Sequence, residues 1–404
     1  MKKKLILAMF LSLFSLNALA DENEKNQALE DQIDINTSNI EKLSDKIDKI
    51  DNNLNFKLFG SVAFRNCSMS SNILSEPQNI IKNALGSVFQ TRISLGLKGN
   101  ITENTDYQFR FLTNPGNSYN LSWSQVGTEL VKLPFTLDRV FVSHNFKDGF
   151  NNNINFTLGK ANNFFAETEL FFDEDVSFSG LSQSYKINDL NSVVKNVSLS
   201  LAENFVGIDG PFNNVFMLGG KASSNLEFTK DLNLDLGGSY ISFVGGKKFA
   251  NESYKKMFTW VIEKTNRVGS DKLLESDYNL LDLYAKLNFN LFDIKHTLFV
   301  DFVNNLGAKD KNKGFSVGFD IGEQKKQGDL MFSYNYKMLE QDYNYSSLIQ
   351  EQMLGTDTVG HNFELSYKFL PKTNVVFTLQ NATSLSEANK PHFYILYTSI
   401  RQDL

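Results

Sequence analysis

The chain has 404 residues, among them 36 phenylalanines and 14 tyrosines against 2 tryptophans and 6 prolines, and a formal net charge of -6. That acidic balance argues against nucleic acid as a partner. A single cysteine, Cys67, excludes an internal disulfide framework and any cysteine-based zinc site.

Residues 1–20, "MKKKLILAMFLSLFSLNALA", place three lysines before a short apolar run and Ala-Leu-Ala ahead of Asp21, the layout of a cleaved secretory signal peptide. The run is too short to span a membrane as a helix, which takes about 20 apolar residues. Loss of Lys2, Lys3 and Lys4 would take the net charge from -6 to -9.

Within the segment read as 21–54, apolar residues recur from Leu29 onward at alternating steps of four and three. Ile33, Ile40, Ile47 and Leu54 fall at heptad position a; Leu29, Leu43 and Ile50 fall at d, with Asn36 the polar d residue. This spacing predicts an α-helical coiled coil. The mixture of Ile and Leu at a and d leans toward a homotrimer.

After Leu54 the period switches to two. In "FKLFGSVAFR" Phe56, Leu58, Val62 and Phe64 point one way and Lys57, Ser61, Ala63 and Arg65 the other. The same alternation fills "VFQTRISLGLKG" and "DYQFRF". Further strands are expected near 136–146, 153–160, 177–187, 195–205, 214–227, 231–244, 277–291, 294–304, 313–322, 328–338, 361–369, 373–383 and 392–402, sixteen in all. An even number of strands of about ten residues, one face apolar with aromatics near strand ends and the other carrying Arg, Lys and Gln, describes a closed antiparallel transmembrane β-barrel over 55–404. In hydrocarbon such strands can span only as a closed barrel, because every backbone group needs an internal partner. Connections alternate between tight turns such as "FLPKTN" and long loops at 66–84, 114–135, 245–276 and 339–360. The coiled coil then belongs on the short-turn, periplasmic side.

Several segments resemble the bacterial "putative porin" family of exported barrels with an N-terminal coiled coil, distantly like the phosphate-selective porins. They are "FQTRISLGLKGNITENTDYQFRF", "LDRVFVSHNF" with the following "INFTLGKANNFFAETELFFDEDVSFSGLSQSY", and "GFSVGFDIGEQKKQGDLMFSYNYKMLEQD" leading to "TVGHNFELSYKFLPKTNVVFTLQN". The resemblance implies an outer-membrane channel for passive diffusion of ions and small hydrophilic solutes, surrounded by lipid and needing no cofactor. The chain departs from the family in two respects. It ends in Leu404 rather than an aromatic residue, and it has six arginines where anion-selective relatives carry a dense basic ladder. Phosphate selectivity is therefore not expected. Two other readings of an exported barrel stay open here: iron or siderophore uptake, and a surface adhesin displaying the long loops.

Catalytic and metal chemistry find little support. His144, His296, His361 and His392 lie in separate strand regions with no metal-ligand spacing. The acidic stretch after the fifth strand lacks the alternating ladder of a calcium loop, and no nucleophile motif accompanies it, so an enzyme is not expected. That stretch, "NNFFAETELFFDEDVSF", is too apolar for a free loop and too acidic for a lipid face. The parity of the first three strands sends Arg65, Arg92 and Arg110 to the polar face, on neighbouring strands about 4.8 Å apart. These arginines need countercharges. The expectation is a loop near 161–176 folded into the barrel, its phenylalanines on the wall and Glu167, Glu169, Asp173, Glu174 and Asp175 facing the arginines to form a pore constriction.

Overall fold

The computed structural model describes residues 56–72, 86–113, 123–125, 135–147, 152–165, 168, 170–206, 215–248, 266–271, 273–349, 355–386 and 392–404. The signal-peptide segment, the heptad residues Leu29 to Leu54, and Glu167 and Glu169 lie outside them.

The strands follow the chain: β1 (Phe56–Asn72), β2 (Gly86–Thr102), β3 (Thr105–Thr113), the two-residue β4 (Ser124–Gln125), β5 (Phe135–Lys147), β6 (Asn153–Asn162), β7 (Ser177–Asn188), β8 (Val194–Val206), β9 (Val215–Thr229), β10 (Leu232–Val244), β11 (Asn279–Leu291), β12 (Ile294–Asn305), β13 (Lys313–Gly322), β14 (Leu330–Leu339), β15 (Thr358–Leu370), β16 (Thr373–Ser384) and β17 (His392–Asp403). The short β4 pairs with β2, and each of the other strands pairs antiparallel with the next, β3 with β5. β17 returns to β1, from Ser61 opposite Asp403 to Asn72 opposite His392. The described residues thus form a closed, all-β antiparallel barrel of sixteen long strands. Closure removes the unpaired strand edges that hydrocarbon would not tolerate. No described helix is long and apolar enough to cross a membrane.

The sixteen expected strands are all present, with shifted ends. β1 runs seven residues past its expected end, to Asn72, and β15 starts three residues early, at Thr358. β4 was not expected; a two-residue pairing leaves no periodic trace in a sequence.

Alternation along each strand sorts residues to two walls. On β8, Leu199, Leu201 and Phe205 are exposed on the outer wall, while Ser200, Ala202, Asn204 and Val206 are buried on the inner one. The outer wall is the apolar face a bilayer requires. One rim carries tight turns. Between β11 and β12, Phe292 and Asp293 take φ of 54° and 61°, the two left-handed positions of a type I′ hairpin. The other rim carries the long connections, including 163–176 between β6 and β7, 245–278 between β10 and β11, and 340–357 between β14 and β15.

Candidate functional site

On the inner wall of the first strands, Arg65 comes from β1, Arg92 from β2, Arg110 from β3 and Arg139 from β5. Strand parity accounts for the first three. Arg139 is turned inward by a bulge, because the register shifts from Arg110 opposite Arg139 to Phe111 opposite Leu137. The extra residue, Asp138, therefore shares the inner side with Arg139, and both are buried while Leu137 is exposed.

The bulge also supplies a countercharge. Asp138 is ion-paired with Arg110 and lies 3.5 Å from Arg139 Nε. Arg65 takes a different kind of partner. Its Nε donates to Gln90 Oε1 at 2.6 Å, and its guanidinium lies 4.3 Å from the ring centre of Trp123 and 4.8 Å from that of Tyr397.

The connection between β6 and β7 meets this wall at its acidic end. Asp175 is ion-paired with Arg92, and Arg139 donates to the backbone oxygen of Glu174 at 3.3 Å and to Ser177 Oγ at 3.4 Å. Asp173 is buried and shapes the turn itself, its Oδ1 accepting the Asp175 N–H at 2.8 Å. The Glu174 residue is exposed. Of the residues expected to converge, Arg92 and Asp175 touch directly, Glu174 takes part through its backbone, and Arg65 and Arg110 find partners on the wall.

The apolar residues of the same connection are among the most buried in the protein. Phe165, Leu170, Phe171, Phe172 and Val176 are at most 2% exposed. They join one cluster with inner-wall side chains from β7 to β14, including Ala202, Met217, Ile241, Leu280, Val303 and Leu339. Gly219 on β9 leaves the space for Phe165, since a Cβ there would come within 2.7 Å of the ring. Lys221 Nζ donates to Phe164 O at 3.2 Å.

These observations place a closed barrel with a polar inner wall beside an apolar outer one. A family model described as "Putative porin" matches residues 38–256, more than half of the chain. The chain belongs to this porin family. It forms an outer-membrane channel for small solutes. Similar solved structures include OprB from Pseudomonas putida, with 9% identity and a TM-score of 0.53 over 88% of this chain and 96% of that one. Another is OmpF from Salmonella typhi in complex with daunomycin, with 9% identity and a TM-score of 0.50 over 86% and 97%. At such identity the likeness is one of fold. No curated protein matches the porin in sequence.

A second connection of the porin, 340–349 after β14, holds the first in place. Tyr343 Oη donates to Leu170 O at 3.2 Å, Asn344 Nδ2 donates to Phe171 O, and Asp173 N donates to Leu348 O at 2.9 Å. This segment is in turn organised around Asp342, whose side chain is fully buried. Asp342 accepts from Arg267 N at 3.0 Å, Arg267 Nε at 2.7 Å, Ser276 Oγ at 2.8 Å and Tyr278 Oη at 3.4 Å. Burial of the Arg267 guanidinium works against its charge, but the hydrogen bonds and charges of Asp342 and Asp310 outweigh it and hold its pKa above the ordinary value. Burial, then the charge of Asp342, pushes the Tyr278 phenol well up.

The four histidines of the porin stay apart. His144 meets Thr105 Oγ1 at 2.7 Å, His361 meets Tyr334 Oη at 2.9 Å, and His296 meets Ile294 O at 2.9 Å. Among the described residues no group of three or more His, Cys, Asp or Glu side chains is arranged to hold a metal ion.

Proposed function

We propose that the 163–176 connection narrows the channel and that its acids, set against the arginines of β1 to β5, form a transverse field across the narrowest point. The Arg92–Asp175 ion pair supports this reading above all, because it joins the loop to the arginine-bearing wall. The burial of Phe165, Phe171 and Phe172 against inner-wall side chains supports the loop's place inside the barrel. A field of this kind orients dipolar solutes and disfavours apolar ones, as charged rings do in other pores. Passage is passive, and the channel has no catalytic role.

The organisation proposed with it is a cleaved signal peptide at 1–20, a periplasmic coiled coil at 21–54 that assembles three copies, and the barrel from 55 onward. The heptad residues Leu29, Ile33, Asn36, Ile40, Leu43, Ile47 and Ile50 support the trimer.

The test is the reversal potential of the purified protein in a planar bilayer under a salt gradient. Neutralising Asp173, Glu174 and Asp175 together should move selectivity toward anions. An unchanged reversal potential in a folded barrel would refute the constriction.

A further inference from the structure

The inner wall of β12 to β15 carries a row of residues that the constriction does not use. Phe299 stands directly opposite Gly318, Gly318 opposite Asn335, and Asn335 opposite Asn362. All four share the inner face, in parity with the buried Asp301, Ser316, Lys337 and Ser366 of the same strands. A Cβ on Gly318 would strike the far end of the Phe299 ring, so the ring lies across β13 along the wall.

The two amides are buried but not satisfied. Asn335 is 7% exposed and Asn362 6%, and the Oδ1 of each has no hydrogen-bond partner among the described residues. An amide oxygen so far from bulk water is costly to leave unpaired. Both amides line a cavity of about 280 Å³ together with Phe299, and Thr168 and Leu170 of the β6–β7 connection border it. Ligand pockets commonly run to about 300–1,000 Å³, so this one has room for a single small ring.

The charged groups around the cavity are already engaged. Asp301 is hydrogen-bonded to Asp282 and to Thr168. Glu364 accepts from Ser366 Oγ at 3.0 Å and from Thr378 Oγ1 at 3.3 Å. Lys286, Lys337 and Asp320 have partners as well. The groups left to meet a solute are neutral: two amides, each able to donate and to accept, beside an aromatic ring. A hydroxyl also does both, and a small ring bearing several of them keeps an apolar C–H side.

We propose that Phe299, Asn335 and Asn362 form a subsite for a neutral polyhydroxylated ring of monosaccharide size, held briefly on its way through the channel. The C–H side of the ring rests on Phe299, and its hydroxyls bond the two amide oxygens. A zwitterion finds no unpaired charge among these lining groups. The subsite rests on the reading that the 163–176 connection stands inside the channel, since Thr168 and Leu170 close one side of it, but it needs no transverse field.

D-glucose titrated into single-channel recordings of the purified full-length protein tests this. Current noise should rise saturably with glucose, and Asn335→Ala/Asn362→Ala should raise the half-saturating concentration about tenfold or more. Ser200→Ala, on the inner wall outside the cavity, should leave it unchanged. Glycine, a small zwitterion, should need a higher concentration than glucose for the same effect. Heat modifiability on gels verifies that each variant is folded. The reversal potential reads the constriction and glucose reads the cavity, so either reading can fail while the other holds. A glucose effect that never saturates, an unchanged half-saturation in the folded double variant, or saturation by glycine at the same or a lower concentration would overturn the proposal.

Discussion

Arg92 on β2 is ion-paired with Asp175, 83 positions further along the chain, with only 14% and 13% of the two side chains exposed. A hydrogen-bonded pair so far from bulk water interacts more strongly than a surface pair, and each partner left alone would carry an uncompensated charge. The pair therefore bears on both the position of the β6–β7 connection and the charge of the pore.

Single and double variants separate those two effects. Asp175→Asn should shift the reversal potential toward anions and Arg92→Gln toward cations. The double variant Arg92→Gln/Asp175→Asn should lie close to wild type in selectivity. Equal shifts in one direction for both single variants would show that the pair acts only by holding the loop.

Gly219 offers a steric test of the same connection. A Cβ at this position would come within 2.7 Å of the Phe165 ring and 2.9 Å of Ile241 Cγ1. Gly219→Val should cost about 1–3 kcal/mol of overpacking and displace Phe165. A changed single-channel conductance with the barrel still heat-modifiable is the expected result. Gly220 lies on the opposite wall, so Gly220→Ala should leave conductance as it is.

Asp342 should matter to stability through the segment that it organises. Asp342→Asn keeps the shape but removes the charge that gathers Arg267, Ser276 and Tyr278. The expected loss is about 1–3 kcal/mol, read as an earlier transition in thermal or urea unfolding. Because 340–349 holds Leu170, Phe171 and Asp173, the variant should also show noisier open-channel current.

The two walls can be told apart by one substitution on each. Leu201 is 54% exposed on the outer wall and its neighbour Ser200 is 8% exposed on the inner one. Leu201→Arg should cost up to about 2–4 kcal/mol if the residue sits at the bilayer midplane, seen as weaker refolding into vesicles. Ser200→Arg should refold and alter ion selectivity instead.

How much of this was legible beforehand depends on the range of each interaction. Strand alternation is local, so sixteen strands and the inward parity of Arg65, Arg92 and Arg110 could be read from residues two apart. The need for countercharges was legible too, and it led to Asp175. The inward turn of Asp138 and Arg139 was not, because a bulge is set by register against β3 and leaves no signature in β5 alone. The Asp342 centre joins 266–278 to 340–349, two stretches with no common period, and only the folded chain brings them together. Arg65 shows a further limit: a cation's partner need not be an acid, and Gln90, Trp123 and Tyr397 carried no charge to search for.

The most direct test of the channel itself is single-channel recording of the purified wild-type protein in planar bilayers. The barrel and its polar inner wall predict discrete, stepwise conductance that scales with salt concentration. A protein that is folded and heat-modifiable, inserts into the bilayer and yet passes no current would contradict the account.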